Sequence, residues 1–223
     1  MTKQDIAAVV WDMDGLIFDT ERLSFEAWKI GANAIGVEID LPLFQTLIGM
    51  NSPTIVRKLT EYFGEAVDVE ELRRGAGLAY DDLIAQGPPL KTGAKECIQM
   101  VASLRVPQAL ATSSSYKYAS RKLESHGLLE LFNETVTGDQ VTHGKPHPEP
   151  YLTAAQKLGI PPSSCIAFED SVNGIHSAKT AGMTTALVPD MCPHGPESLA
   201  RVDHTFDTLL EAKPFLESLF QRG

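Results

Sequence analysis

Residues 6–15 read IAAVVWDMDG, and the first six of them are all apolar. An unbroken apolar run of this length is typical of a strand that is buried on both faces of a parallel sheet. Asp12 ends the run, and Asp14 and Gly15 follow it closely. Ligands of open α/β sheets bind outside the carboxyl ends of the strands, so the residues directly after this strand are the first candidates for a functional site.

Similar short apolar runs recur along the chain and alternate with helical patterns. They occupy residues 106–111, 165–168 and 184–188, and a weaker run lies at 135–137. Between them, apolar residues recur at spacings of three and four, the period of a helix with one buried face. Strands that alternate with helices predict an α/β fold with a doubly wound parallel sheet.

Residues 19–87 interrupt this alternation, because they show helical patterns and no convincing strand. The turn formed by Gly87, Pro88 and Pro89 leads back into the alternating pattern. We therefore predict a catalytic α/β core formed by residues 1–18 and 88–223, with a small all-helical cap domain inserted at 19–87.

Composition narrows the range of partners. The 29 acidic and 19 basic residues give a formal charge of −10, which repels nucleic acids and anionic membrane surfaces. A small anionic substrate requires a local cation to gather it. The three cysteines form neither a disulfide framework nor a zinc pattern, and no apolar stretch is long enough for a membrane span. We expect a cytoplasmic protein that is monomeric.

Oxygen-bearing side chains follow three of the predicted strands. Those candidates are Asp12 and Asp14 after the first run, Thr112, Ser113 and Ser114 after the second, and Glu169 and Asp170 after the run at 165–168. One acid after a strand is most often a helix cap, but four carboxylates at one sheet edge repel each other unless a cation lies among them. Ligands that are all oxygen favour Mg²⁺.

Four motifs resemble those of the haloacid dehalogenase superfamily, in the order that the superfamily uses. They are WDMDGL at 11–16, ATSS at 111–114, HGKP at 143–146 and FEDSVNG at 168–174. The helical insert lies where the subfamily with a helical cap carries that cap. Within this superfamily the chain resembles the beta-phosphoglucomutase-like phosphatases, and its segments at 20–23, 109–114 and 168–174 look similar to those of enzymes that act on small sugar phosphates and on pseudouridine monophosphate.

The resemblance implies a role for each motif residue. Asp12 is the implied nucleophile, which forms an aspartyl phosphate. Asp14 is the implied acid and then base, and its backbone carbonyl is an implied metal ligand. The remaining implied roles are phosphate binding by Thr112, Ser113 and Ser114, charge neutralisation by Lys145, Mg²⁺ binding by Asp12, Glu169 and Asp170, and substrate selection by Asn51 in the cap.

These features predict a Mg²⁺-dependent phosphatase for a small phosphorylated metabolite. A sugar phosphomutase of the beta-phosphoglucomutase type is the alternative, but those mutases have an arginine after the glycine of the cap loop and a histidine after the hinge. Here the cap loop reads GMNS at 49–52, and RLS at 22–24 follows the hinge at 16–21, although Arg57 or Lys58 could supply the cationic group instead. Dehalogenation does not require an acid at position 14, and a phospho-accepting receiver module lacks a helical cap.

Overall fold

The computed structural model of this protein describes residues 6–48, 50, 52–85 and 87–220. The chain divides into two compact units, one formed by Met1–Asp19 with Pro89–Gly223 and the other by Thr20–Pro88. This division assigns no function to either unit, so the predicted roles of catalytic core and cap stay predictions. No helix of the described ranges has both the length and the apolar character that a membrane span requires.

The first unit is built on one six-stranded parallel sheet. Its strands are β1 (Ala8–Trp11), β2 (Gln108–Ala111), β3 (Glu134–Val136), β4 (Cys165–Glu169), β5 (Thr184–Leu187) and β6 (His204–Thr205). Their order across the sheet is β3-β2-β1-β4-β5-β6, and every neighbouring pair is parallel. The predicted doubly wound parallel α/β fold is therefore confirmed.

Helices cover both faces of this sheet. They are α5 (Ala94–Ser103), α6 (Tyr116–Glu124), α7 (Glu149–Leu158), α8 (Val172–Thr180), α9 (Pro196–Leu199) and α10 (Leu209–Phe220). Successive residues of β1 enter opposite apolar layers, since Val9 and Trp11 belong to one buried cluster while Ala8 and Val10 belong to the other. Burial on both faces explains why β1 has no polar residue.

The order of the strands places the end of β1 at a switch point. The chain leaves β1 for β2 and β3 on one side, and it later returns to β4, β5 and β6 on the other side. The carboxyl end of β1 is thus flanked by the carboxyl ends of β2 and β4. This crevice is where open α/β sheets bind their ligands.

The second unit contains four helices and no strand among its described residues, as the sequence predicts. The helices are α1 (Thr20–Ala34), α2 (Leu41–Gln45), α3 (Ser52–Phe63) and α4 (Val69–Ala85). Helices α1 and α4 touch through their backbones, because a Cβ on Gly31 would lie 2.6 Å from the Ala76 nitrogen and 2.7 Å from the Leu72 oxygen. Asp40 caps α2 by accepting the Leu43 N–H at 2.9 Å.

Candidate active site

Asp12 is the first residue after β1, and the sheet itself fixes its backbone. Its N–H donates to the Phe168 carbonyl of β4 at 3.0 Å, which continues the strand pairing by one residue. Its side chain is buried and receives a hydrogen bond at Oδ1 from the Lys145 ammonium at 2.5 Å. The sheet and Lys145 therefore hold the predicted nucleophile at the switch point.

Lys145 joins the ends of β1 and β4. Its ammonium also donates to Glu169 Oε1 at 2.5 Å, and its side chain is only 6% exposed. It lies over the ring of Tyr151, 5.0 Å from the ring centre, and the Tyr151 hydroxyl donates to Glu169 Oε1 at 2.7 Å. The structure thus brings Lys145, Asp12 and Glu169 together, and it adds Tyr151, which the sequence analysis did not identify.

The loop that carries Lys145 is fixed by hydrogen bonds on both sides of the lysine. Glu149, at the start of α7, accepts the backbone N–H groups of Thr142 at 2.7 Å and His143 at 3.0 Å. Ser177 Oγ donates to the His147 carbonyl at 2.6 Å. His143, His147 and Glu149 also have the donor atoms to hold a metal ion, but both histidines are exposed and the hydrogen bonds to Glu149 account for their arrangement.

Glu169 and Asp170 form the turn between β4 and α8. Glu169 Oε2 accepts hydrogen bonds from the backbone N–H groups of Asp170 and Ser171 and from the Ser171 hydroxyl. A Cβ on Gly174 would lie 1.7 Å from Glu169 Oε1, so only glycine leaves room for this carboxylate against α8. Ser171 caps α8 by accepting the Gly174 N–H at 3.0 Å.

Burial and neighbouring charges shift the pKa values of the carboxylates in the site. Burial raises the pKa of Asp12 to about 8, because the loss of solvent outweighs the attraction of Lys145. Burial also raises the pKa of Asp170 well above its ordinary value, and the charges of Glu169 and Asp12 add to this. Burial acts the same way on Glu169, but the charge of Lys145 and the hydrogen bonds from Lys145, Tyr151 and Ser171 together outweigh it and lower the pKa of Glu169.

These carboxylates fit a hard divalent cation. Oxygen atoms of Asp12, Glu169 and Asp170 lie within 4.8 Å of one another, and all three residues are buried. Nearby, Asp190 Oδ2 is buried and accepts no hydrogen bond from any described residue. It lies beside Gly15, where a Cβ would be 2.2 Å from Asp170 Oδ2 and 3.3 Å from Asp190 Oδ2. A cation among these atoms would relieve their mutual repulsion, and their donor set is all oxygen.

The serine-rich loop after β2 borders the same crevice. The Thr112 N–H donates to the Val136 carbonyl of β3 at 2.9 Å, and Thr112 is buried. Thr112 Oγ1 accepts the Ser114 N–H at 3.1 Å, which folds the loop back on itself. Ser113 is exposed, while its carbonyl packs against Gly138, where a Cβ would be 2.2 Å away. Phosphate binding by Thr112, Ser113 and Ser114 stays a prediction.

Asp14 has partners that the sequence analysis missed. Its Oδ1 accepts a hydrogen bond from Lys122 of α6 at 2.5 Å, and its Oδ2 accepts one from Ser114 Oγ at 2.7 Å. The carboxylate of Asp14 is therefore turned toward α6 and is not part of the Asp12, Glu169 and Asp170 group. This leaves the predicted metal contact of Asp14 to its backbone carbonyl. Asn51, the predicted substrate-selecting residue, lies outside the described residues.

The parallel sheet, with an aspartate, a lysine and an acidic group buried at its switch point, defines an α/β enzyme that works at the carboxyl ends of its strands. The chain belongs to the haloacid dehalogenase-like hydrolases, whose family model matches residues 6–182. The predicted membership of the haloacid dehalogenase superfamily is confirmed. The predicted enzyme class, a hydrolase that acts on phosphate monoesters, is confirmed as well.

Relatives and solved structures agree with this membership. The chain is 34% identical to a probable pseudouridine-5′-phosphatase of Drosophila melanogaster over 81% of this chain and 80% of that protein. It is also 34% identical to a phosphorylated carbohydrates phosphatase of Thermotoga maritima, over 79% of this chain and 82% of that protein. A HAD family hydrolase from Deinococcus radiodurans, solved with bound phosphate and sodium, superposes with a TM-score of 0.86 at 25% identity, covering 99% of this chain and all of that one.

Proposed function

We propose that this protein is a Mg²⁺-dependent phosphatase that hydrolyses small phosphate monoesters through an aspartyl phosphate on Asp12. The main support for this proposal is that the Lys145 ammonium contacts both Asp12 and Glu169 at 2.5 Å. This contact places a buried positive charge at the point where a phosphoryl group would be attacked by Asp12. The relatives named as phosphatases of pseudouridine monophosphate and carbohydrates support a sugar phosphate or a nucleoside monophosphate as the substrate class.

The first chemical step transfers the phosphoryl group to Asp12. The Asp12 carboxylate attacks phosphorus, the bond between phosphorus and the ester oxygen breaks, and the departing alcohol takes a proton from Asp14. Lys145 neutralises charge between Asp12 and the phosphoryl oxygens. Thr112 and the N–H of Ser113 donate to those oxygens.

The second step releases phosphate. A water molecule attacks phosphorus, its proton passes to Asp14, and the bond between phosphorus and Asp12 breaks, so that inorganic phosphate leaves and both aspartates return to their first state. Mg²⁺, when held by Asp12, Glu169, Asp170 and the Asp14 carbonyl, supplies positive charge that offsets the crowded carboxylates and the phosphate. The small phosphorylated metabolite, the cytoplasmic location and the monomeric state stay predictions.

Phosphate release from 4-nitrophenyl phosphate tests the proposal. We expect turnover with Mg²⁺, none with a chelator, and a loss of at least about 10³-fold in the Asp12→Asn variant, since a group that forms a covalent intermediate has no substitute. Asp207→Asn, which changes an exposed aspartate, is the matched control and should retain full activity. Unchanged turnover in Asp12→Asn would refute the proposal, whereas transfer of phosphate to a sugar phosphate without release would favour the phosphomutase.

A further inference from the structure

Lys122 is a buried lysine that takes no direct part in the two proposed chemical steps. It lies in α6 and its side chain is only 8% exposed, although neighbouring Arg121 is exposed. A buried ammonium group is costly unless a carboxylate or several acceptors compensate it. Its partner is Asp14, whose Oδ1 it contacts at 2.5 Å.

Asp14 is held at both oxygens by one segment of the chain. Lys122 donates to Oδ1 and Ser114 Oγ donates to Oδ2 at 2.7 Å, and both donors belong to the loop and helix that follow β2. Two donors on the two oxygens fix the direction as well as the position of a carboxylate. Each oxygen still has a second acceptor position for a substrate or water proton.

We propose that Lys122 is a positioning residue that holds Asp14 in its working orientation for proton transfer. The inference rests on the proposed function, because it assigns Lys122 to the acid and base of that reaction. Lys122 acts through Asp14 and does not itself touch the phosphoryl group. Misplacing a catalytic group by about 1 Å costs about 10²-fold in rate, which sets the scale of the expected effect.

The effect of a Lys122 substitution on kcat/KM should depend on the leaving group of the substrate if Lys122 positions Asp14. It should not depend on the leaving group if Lys122 only stabilises the fold. The proton of Asp14 matters for a poor leaving group such as phenolate, and it matters little for 2,4-dinitrophenolate, which departs without one. The value of kcat/KM reports the steps up to departure of the leaving group. The two aryl phosphates have similar shapes, so a general loss of folding or binding would lower both values alike.

The experiment measures kcat/KM for phenyl phosphate and 2,4-dinitrophenyl phosphate in Lys122→Met, Asp14→Asn and the double variant. We expect Lys122→Met to lower kcat/KM about 10- to 100-fold for phenyl phosphate and less than about threefold for the dinitrophenyl ester. In the Asp14→Asn background, Lys122→Met should cause no further loss, because both changes remove the same function. Lys122→Arg should restore part of the activity.

Lys117→Met is the matched control, since Lys117 is an exposed lysine of the same helix. Equal losses on the two esters, or a full additional loss in the Asp14→Asn background, would overturn the positioning role. Either result leaves the proposed function intact as long as turnover still depends on Asp12. A fall in the thermal midpoint that accompanies equal losses would identify Lys122 as a structural residue.

Discussion

Lys145 places one ammonium group between two buried carboxylates, those of Asp12 and Glu169. Burial lowers the pKa of Lys145, but the charges of Asp12 and Glu169 and their hydrogen bonds together outweigh it and raise this pKa, so Lys145 stays protonated at neutral pH. A neutral side chain at this position leaves Asp12 and Glu169 to repel each other. The lysine is therefore expected to serve both the resting site and the transition state.

Substitution of Lys145 tests that role. We expect Lys145→Met to lower kcat by about 10²- to 10³-fold, the usual loss on removing one preorganised charge from a transition state. Lys157→Met is the control, because Lys157 is exposed and donates to the backbone carbonyl of Thr135, away from the site. A Lys145→Met variant that keeps its fold and more than about a tenth of the activity would contradict the role of this charge.

The raised pKa of Asp12 predicts a pH-dependent affinity for Mg²⁺. Burial raises this pKa to about 8, so below that pH a metal ion must displace a proton to bind the carboxylate. The affinity should rise with pH by up to about tenfold per unit for one displaced proton, and it should level off above the pKa. Without metal, the sign for stability is opposite: the folded state holds this proton and the unfolded state does not, so the contribution of Asp12 to stability falls as pH rises.

Calorimetric titration with Mg²⁺ at about pH 6, 7 and 8 measures this affinity, and two buffers with different ionisation heats count the released protons. Asp12→Asn removes the ionisable group and should reduce the proton release. An affinity that is the same at all three pH values, with no proton released, would contradict the assignment of Asp12 as a metal ligand.

Some site residues are visible in the sequence and others are not, for a physical reason. Asp12, Thr112, Glu169 and Asp170 follow apolar runs, so their place at the sheet edge follows from the local pattern. Lys122 lies within a helix between Arg121 and Leu123, where a lysine is usually solvated. Its burial depends on Asp14, which is 108 positions away in sequence, and no local pattern reveals such a contact.

Among the elements of the second unit, the backbone contact between α1 and α4 depends on Gly31. We expect Gly31→Ala to lower the free energy of unfolding by about 1–3 kcal/mol, because the new methyl group would collide with the backbone of α4 and cannot rotate away. Gly77→Ala on α4 is the matched control: apart from the adjacent backbone of α4, no described atom lies within 4 Å of its added Cβ, so it should raise stability by about 0.5–1 kcal/mol. Thermal and denaturant unfolding measure both changes, and equal effects of the two variants would contradict the backbone contact.

Apolar runs in the sequence predict five of the six strands and do not predict the sixth. Strands β1 to β5 coincide with apolar runs or, for β3, with the weaker run at 135–137. Strand β6 was not predicted from the sequence. It consists of His204 and Thr205, and neither residue is fully buried. An edge strand this short has too little apolar surface to leave a pattern, and its pairing with β5 forms only in the folded sheet.

In the molecule as a whole, three lysines offset the acidic charge at the carboxyl end of the sheet. Lys145 contacts Asp12 and Glu169, Lys122 contacts Asp14, and Lys91 contacts Asp190 at 2.5 Å. Because the net charge is −10, an anionic substrate needs a local cation at the site. Of these three lysines, only Lys145 was predicted from the sequence as that cation. The other two lysines come from distant segments, so their convergence is a property of the fold.

Chemical trapping shows whether Asp12 carries the phosphoryl group during turnover. The protein is mixed with 4-nitrophenyl phosphate and Mg²⁺, quenched in acid during turnover, reduced with borohydride, and digested for mass spectrometry. Borohydride converts an aspartyl phosphate to homoserine, so we expect homoserine at position 12 only when substrate is present. Continued phosphate release with an unmodified Asp12, or modification at Asp14 instead, would contradict it.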